Sequence, residues 1–365
     1  MTTLFSPAPP FETPIIPLEI TPRAWMPKRV LFSPEALQQS WRLQILERMQ
    51  KLGLAVEKLA SNRLTNLRGE TERETYQRAK STLAVVCAPP SQFKLQPIPP
   101  SADWQFHLAQ GCPAHCQYCY LAGSLSGPPV VRAYANLPKI LDNLRHYEKP
   151  NEFTTFEASC YTDVLALEHL TGSLAETIRY FGTRENAGLR WVSKFDAIDS
   201  LLNLPHNRKT RARFSLNAAP IASRLEGGVA SISKRLGALR RMALPAENGG
   251  GGYPIGIVLA PIMPIENWQT HYAQLLNDAQ NTLDFNCDLT WELITHRFTP
   301  NSKDVLLSWY PSTKLEMNES SRSEKCNKFG GVKYVYPREQ MKEMRAWFEG
   351  EIAARFPKSK ILYWT

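Results

Sequence analysis

The chain has 365 residues, of which 43% are hydrophobic and 21% are charged, a balance typical of a globular enzyme. No apolar run approaches the roughly 18 residues that a membrane span requires, and the start of the chain lacks the pattern of a secretory signal, so we expect a soluble cytoplasmic protein with no membrane partner. The net charge is +9, and nine basic residues fall within residues 206–241 against the single carboxylate of Glu226.

The N-terminal quarter of the chain is expected to be mainly helical. Residues 1–26 form a proline-rich leader, and residues 27–100 an N-terminal helical cap region. Ser33 and Pro34 supply a helix N-cap and a first helical position, and apolar residues at near-helical spacing continue to Gly53. A second helical stretch over residues 70–80 runs into the strand-like residues 82–87.

From residue 101 the pattern changes to short β-rich runs separated by helical stretches. This alternation predicts an α/β fold with parallel strands, and the number of strands suits an open, partial (β/α)6 barrel over residues 101–300. A C-terminal β-hairpin plus helix is expected over residues 301–365. In such barrels the functional side chains lie at the carboxyl ends of the strands. The six predicted strands are WQFHLA, FTTFEASC, LRWVSKF, RARFSLNA, PIGIVLAPI and LTWELITHRF.

Three of the seven cysteines lie within eight residues, as Cys112-x3-Cys116-x2-Cys119 in the loop after the first barrel strand. Thiolates hold iron–sulfur clusters, and three thiolates on a four-iron cube leave one iron free to bind another molecule. Three close cysteines also suit tetrahedral zinc, with His107 or His115 as a fourth ligand. The spacing therefore predicts a metal centre, either a 4Fe-4S cluster or a Cys3His zinc site.

The segment around these cysteines resembles the cluster-binding segment of the spore photoproduct lyase family, which belongs to the radical S-adenosylmethionine (SAM) superfamily. It reads AQGCPAHCQYCYLAGSLSGPPVVRAYANL over residues 109–137, and the resemblance extends over residues 27–365. Other segments resemble the family in the same order, namely YQRAKSTLAVV, FEASC, HNRKTRARFSLN, ELITHRFT and GGVKYVYP. The resemblance implies a partial radical-SAM barrel that carries a 4Fe-4S cluster on Cys112, Cys116 and Cys119.

The resemblance also implies a reaction. The family reverts a methylene-bridged thymine dimer in DNA to two thymines, using a 5'-deoxyadenosyl radical made from SAM. A thymine radical then needs a hydrogen atom, and the residue that matches the family's donor is Cys160. Tyr118 and Tyr120 match tyrosines proposed to relay the radical back to SAM. The plainer alternatives are a buried structural cysteine and two aromatic residues that line a pocket.

For SAM itself, the resemblance implies a group of polar residues at strand ends, because the ligand carries a carboxylate, a ribose diol and an adenine. These residues are Thr162, Asp163, Lys194 and Ser215, and Lys194 could instead be a surface lysine. The family pattern commonly has Cys-Thr-Ser-Asp where this chain has Cys160-Tyr161-Thr162-Asp163. The aromatic hairpin is altered as well, with Cys326 in place of an aromatic residue. These departures leave the identity of the lesion open.

The basic residues predict a polyanionic partner, and the alternative is a solvated basic face. The family resemblance implies that this partner is DNA that contains a thymine dimer. The expected DNA contacts are Arg208, Lys209, Arg211, Arg322, Lys328 and Lys333. An electron donor such as a flavodoxin or ferredoxin is also implied. Two alternative functions remain at this point: a related radical-SAM enzyme for another nucleic-acid lesion or base, and a zinc-dependent nucleic-acid-binding protein without catalysis.

Overall fold

A computed structural model describes residues 24–125, 127–158, 160–326 and 331–365. Its N-terminal part contains a five-stranded sheet in addition to the expected helices. The strands pair in parallel except for the last one, and apolar side chains fill both faces of the central strands. In spatial order they are β2 (Val56–Lys58), β1 (Arg29–Phe32), β3 (Thr82–Val86), β8 (Val131–Tyr134) and β6 (Ala109–Gln110).

The second and larger sheet has eight strands and curls into a half-barrel. All neighbours pair in parallel except the two strands of this sheet that come first in the chain, which pair antiparallel. The six predicted parallel strands are all present, so the partial barrel is confirmed. In chain order the strands are β4 (Gln96–Ile98), β5 (Ala102–Phe106), β9 (Thr154–Ala158), β10 (Ala187–Ser193), β11 (Thr210–Leu216), β13 (Ile255–Ile262), β14 (Leu289–Thr295) and β17 (Lys360–Trp364).

Ten α-helices cover the two sheets in the described part of the chain. They are α1 (Arg42–Lys51), α2 (Glu72–Lys80), α3 (Leu137–Leu144), α4 (Glu168–Thr171), α5 (Ser173–Gly182), α6 (Ala219–Leu225), α7 (Ile232–Ala243), α8 (Trp268–Thr282), α9 (Pro300–Trp309) and α10 (Arg338–Arg355). No helix among the described residues combines the length and the apolar character that crossing a membrane requires.

The first helix begins later than the sequence predicted. Ser33 follows β1 directly, and its hydroxyl accepts a hydrogen bond from the amide of Ala36 at 3.3 Å, which caps a short 3-10 turn. The α-helix itself begins at Arg42 and ends just before Gly53, whose φ of +66° stops it. Ser33 therefore does bind a backbone amide as a cap would, but it does so in the short 3-10 turn that follows β1 and not at the start of α1.

A charged network lies inside the half-barrel, between the strands. The guanidinium of Arg213 on β11 contacts the carboxylates of Glu157 on β9 and Glu292 on β14, and Arg190 on β10 also bonds to Glu292. All four side chains are nearly or fully buried. Two positive and two negative charges balance, and Tyr363 donates a further hydrogen bond to Glu292. The network is a buried layer of charged side chains within the half-barrel.

Two short strand pairs complete the fold. β7 (His115–Cys116) pairs antiparallel with β12 (Glu226–Gly227), which fastens the cysteine segment to the turn after α6. β15 (Ser323–Cys326) pairs antiparallel with β16 (Val332–Val335), so the predicted C-terminal hairpin, followed by helix α10, is confirmed. Both pairs lie at loops rather than in the large sheets, next to the residues expected to carry function.

Candidate active site

The three motif cysteines lie in one loop that leaves the N-terminal sheet at β6. Gly111 has a φ of +81°, and a Cβ at this position would lie 2.3 Å from the carbonyl oxygen of Val130, so only glycine fits the turn. Cys116 belongs to β7, and the amide of Cys119 donates to the carbonyl of Cys116 at 3.3 Å. The local sequence thus bends the chain so that all three thiols share one region.

The three thiols influence one another electrostatically. The pKa of Cys112 is raised to about 12, mainly by burial and in part by Cys119, while the nearby Lys80 acts in the opposite direction. Burial also raises the pKa of Cys116, to which Cys119 and Cys112 both contribute. Buried thiols that disfavour the free thiolate need a bound cation before they can ionise together.

This donor set fits an iron–sulfur cluster. Three soft thiols on one loop, one buried and two partly buried, are the kind of ligands that such clusters use. His115 is engaged elsewhere, because its Nδ1 lies 2.8 Å from the hydroxyl of Tyr76. His107 stacks on Tyr161 with ring centres 4.8 Å apart. Among the described residues, no three His, Cys, Asp or Glu side chains converge to hold a single metal ion.

Lys194, at the carboxyl end of β10, is the centre of a hydrogen-bond network beside the cysteines. Its ammonium lies 3.0 Å from the hydroxyl of Tyr118, 3.0 Å from Ser215 Oγ and 2.8 Å from Glu226 Oε1. Tyr118 in turn donates to the same carboxylate. Three sequence-predicted residues, Tyr118, Lys194 and Ser215, are therefore brought together, and Lys194 is not a surface lysine because 15% of its side chain is exposed.

Thr162 and Asp163 lie next to this network but are bonded to the backbone. Thr162 Oγ1 donates to the carbonyl of Gly111 at 2.6 Å, which joins the end of β9 to the cysteine loop. The buried Asp163 carboxylate accepts from Ser193 Oγ and from the amide of Lys194, both at 2.8 Å. The two residues fix the positions of the cysteine loop and of Lys194 relative to β9.

Cys160 follows β9 and lies close to Tyr120. Burial and the neighbouring Glu157 raise the pKa of its thiol, so the group is protonated at neutral pH. Enclosure first, and then Cys160 and Cys119, raise the pKa of the Tyr120 hydroxyl well above its ordinary value. Tyr120 is nevertheless 63% exposed, so it lies at the protein surface. Cys160, Cys119 and Cys112 all lie close enough to act electrostatically on its hydroxyl.

The basic residues at the start of β11 lie away from the candidate site. Arg208, Lys209 and Arg211 occur at the amino end of β11, whereas Ser215 lies near its carboxyl end. A strand of this length spans about 20 Å. Arg211 is paired with Asp288 at 2.9 Å, and Lys209 donates to the carbonyl of Glu185 at 2.6 Å. These three candidates are not brought to the site.

The hairpin candidates have different environments. Arg322 precedes β15, and its side chain is fully buried, bonded to the Glu316 carboxylate and stacked on Tyr336 with 3.7 Å to the ring centre. It anchors the base of the hairpin. Lys333 lies on β16 opposite Lys325, where burial, Arg297 and Lys325 lower its pKa. Lys328 lies outside the described residues.

Sequence reasoning missed the residues that act through charge. Glu226 is 1% exposed in its side chain and pairs with Lys194 at 2.8 Å and with Arg235 on α7. A single carboxylate within nine basic residues was the available signal, since an acid in such a run has a specific partner. Lys80 on α2 donates to two carbonyls of the cysteine loop. No local pattern around Lys80 distinguishes it from a surface lysine.

Comparisons with known proteins agree with this geometry. The family model described as spore photoproduct lyase matches residues 25–365. The spore photoproduct lyase of Geobacillus sp. (strain Y412MC61) is 37% identical, over 94% of this chain and 100% of that protein, and that of Bacillus subtilis (strain 168) is 36% identical, over 93% and 99%. A solved spore photoproduct lyase complexed with dinucleoside spore photoproduct superimposes with a TM-score of 0.87 at 36% identity, over 94% of this chain and 100% of that one. A variant with bound AdoMet and the same dinucleoside gives a TM-score of 0.88.

Proposed function

Because the chain belongs to the spore photoproduct lyase family, we propose that it is a radical-SAM DNA-repair lyase that reverts the methylene-bridged thymine dimer to two thymines. The observation that carries this proposal is the meeting of three features at one end of the half-barrel. These are the three-cysteine loop, the Lys194 network and the protonated thiol of Cys160. Together they provide ligands for a cluster, polar groups for SAM and a thiol that can donate a hydrogen atom.

Cys112, Cys116 and Cys119 would hold the 4Fe-4S cluster. When bound and reduced, the cluster would supply the electron for the reductive cleavage of SAM to methionine and the 5'-deoxyadenosyl radical. Lys194 and Ser215 lie where a charged amine and a hydroxyl would bind the polar groups of SAM. Thr162 and Asp163 orient this part of the site through the backbone of Gly111 and Lys194.

Cys160 would return a hydrogen atom to the thymine radical. A hydrogen-atom donor must carry its proton, and the raised pKa of Cys160 keeps the thiol protonated at neutral pH. Tyr120 lies near both Cys160 and Cys119, and Tyr118 contacts Lys194, so each tyrosine neighbours a residue that such a relay would connect. This placement supports a relay role for both hydroxyls.

Contact with DNA would involve the hairpin. Arg297, Lys325 and Lys333 bring three positive charges together there, and the ion pairs of the described residues include none of them. Cations that repel one another favour a bound anion, and a DNA phosphate is such an anion. Arg208, Lys209 and Arg211 remain a sequence prediction, and their position at the other end of the strands does not favour it.

The electron donor and the cellular location extend this proposal. The seven cysteines are all free thiols in the structure, as expected of a chain that works in the reducing cytoplasm. A flavodoxin or ferredoxin is the class of protein that supplies single electrons at the required low potential. Such a donor would have to approach the cysteine loop, because electron transfer depends on distance to the cluster.

An anaerobic assay with synthetic dinucleoside spore photoproduct tests the function. The reconstituted protein with SAM and a chemical reductant should release thymidine from this substrate and leave cyclobutane and other thymine dimers unchanged. Because the hairpin departs from the usual pattern at Cys326, the assay should include a panel of dimers. Turnover of another lesion in preference to spore photoproduct would contradict the proposal, as would a preparation that holds zinc in place of iron.

A further inference from the structure

Lys80 is a buried lysine at the last position of α2. It is 7% exposed, and its ammonium donates hydrogen bonds to the carbonyl oxygens of Cys112 and Ala114. The same group lies 5.7 Å from the centre of the Tyr76 ring. Lys80 therefore connects the end of α2 to the cysteine loop.

The charge of Lys80 lacks a carboxylate partner in the described part of the chain. Two other buried cations, Arg213 and Arg235, each pair with glutamates, whereas no ion pair of the described residues includes Lys80. A buried charge without a counter-ion is unfavourable, so folds keep one only where another charge compensates for it. The thiol on which Lys80 acts electrostatically is that of Cys112.

We propose that Lys80 is the counter-charge of the iron–sulfur cluster, a positioning residue that fixes the loop carbonyls and makes the cluster easier to reduce. The inference rests on the proposed cluster assignment. Three thiolates give the cluster a net negative charge, and reduction adds to it, so a fixed cation at the loop stabilises the reduced form more than the oxidised form. Burial strengthens this effect because solvent does not screen the charge.

The test compares Lys80→Met, Lys80→Gln and Lys80→Arg with the wild-type holoenzyme. Iron and sulfide content shows whether a cluster is present, and a redox titration followed by electron paramagnetic resonance gives its midpoint potential. Lys58→Met serves as the matched control, because Lys58 is an exposed lysine of the same N-terminal sheet. A wild-type preparation without a four-iron cluster would contradict the proposed function itself.

The neutral variants should shift the equilibrium towards the oxidised cluster by about tenfold or more, which for one electron is about 59 mV towards more negative potential. Lys80→Arg and Lys58→Met should keep the wild-type value. Neutral variants that hold a full cluster at unchanged potential would overturn the inference. If neutral variants lose the cluster while Lys80→Arg keeps it, the charge requirement is supported. Loss in all three Lys80 variants would instead show that only the shape of lysine matters, which would also overturn it.

Discussion

At the scale of single residues, the site depends on which groups keep their protons. The thiol of Cys160 lies near the buried Glu157 and the Tyr120 hydroxyl, and burial holds its pKa above the usual range. A thiolate would be the better nucleophile, but only a thiol can give up a hydrogen atom. The environment of Cys160 therefore suits hydrogen transfer rather than nucleophilic attack.

Cys160→Ala should separate bond scission from product formation. We expect the variant to bind the cluster, cleave SAM and break the dimer, because these steps precede the cysteine's contribution. Thymine recovery should fall, and adducts of thymine with reductant or buffer anions should appear in its place by mass spectrometry. Cys287→Ala, a half-buried thiol at the amino end of β14, is the control and should repair normally. Clean repair by Cys160→Ala at a rate near wild type would return Cys160 to a structural role.

Glu226 is the second residue whose protonation state matters. Lys194, Arg235 and the hydroxyl of Tyr118 all contact its carboxylate, and Lys194 and Arg235 hold the pKa of Glu226 at about 2 despite burial. Glu226→Gln should lower the free energy of unfolding by about 3–5 kcal/mol, because two buried cations lose their counter-charge. Denaturant unfolding of the apoprotein measures this loss.

The exposed Glu247→Gln should leave the free energy of unfolding unchanged and is the matched control. Equal stability of both variants would show that Lys194 and Arg235 do not depend on Glu226. A second measurement, the affinity for SAM, should fall in Glu226→Gln because Lys194 and Tyr118 lose their common anchor.

At the scale of elements, the connection between α4 and α5 contains a buried acid. Glu168 begins α4, is 2% exposed, and accepts a hydrogen bond from the amide of Leu174 at 2.8 Å, in the first turn of α5. Burial raises the pKa of Glu168 to about 7, although Arg48 and the hydrogen bonds from the backbone amides of Leu174 and Ala175 act in the opposite direction. The carboxyl therefore joins the two helices best in its neutral form.

This shift predicts a pH dependence of stability. Because the folded pKa lies above the ordinary value of 4.5, the contribution of Glu168 is fully present below about pH 4.5 and is lost as the pH rises through about 7. Glu168→Gln stays neutral, so its melting temperature relative to wild type should increase between pH 5 and pH 8. Glu176→Gln, a partly exposed position on α5, should show no such trend. A constant difference across this range would mean that Glu168 is ionised in the fold.

At the scale of the whole molecule, two groups of basic residues lie at separate places. One is at the hairpin, with Arg297, Lys325 and Lys333, and the base of this hairpin is bonded to His296 at the carboxyl end of β14. The other is at the amino end of β11. A DNA strand bound at the carboxyl ends of the strands would lie at the end that carries the hairpin, while the basic run lies about one strand length, or about 20 Å, away. The net charge of +9 thus does not by itself locate the DNA.

Salt dependence of DNA binding distinguishes the two places. Each phosphate contact contributes about 0.9 to the slope of log affinity against log salt concentration. Lys333→Gln and Lys325→Gln should each reduce the slope by roughly one unit, whereas Arg208→Gln should leave it unchanged. Fluorescence anisotropy with a lesion-containing oligonucleotide measures these slopes. A reduced slope for Arg208→Gln alone would move the DNA to the far end of the half-barrel.

The sequence predicted the half-barrel because its strands are long apolar runs that end in polar residues, such as the run before Lys194. It did not predict the N-terminal sheet, since β2 and β6 have three and two residues and form only by pairing with distant strands. The spacing of the three motif cysteines was sufficient to predict a metal centre. The roles of Glu226 and Lys80 could not be predicted, because their partners approach them only in the folded protein. Lys194, the partner of Glu226, is 32 residues away in the sequence.

The pairing of β7 with β12 is a backbone pairing, so we expect it to form without iron. Cys116 lies opposite Glu226 and His115 opposite Gly227, while Thr162 and Lys80 bind other carbonyls of the same loop. The cysteine loop of the apoprotein should therefore already be folded. Delivery of the cluster would then be a ligand exchange rather than a folding reaction. In contrast to a zinc finger, removal of the metal should leave the amide protons of this pairing protected from hydrogen exchange.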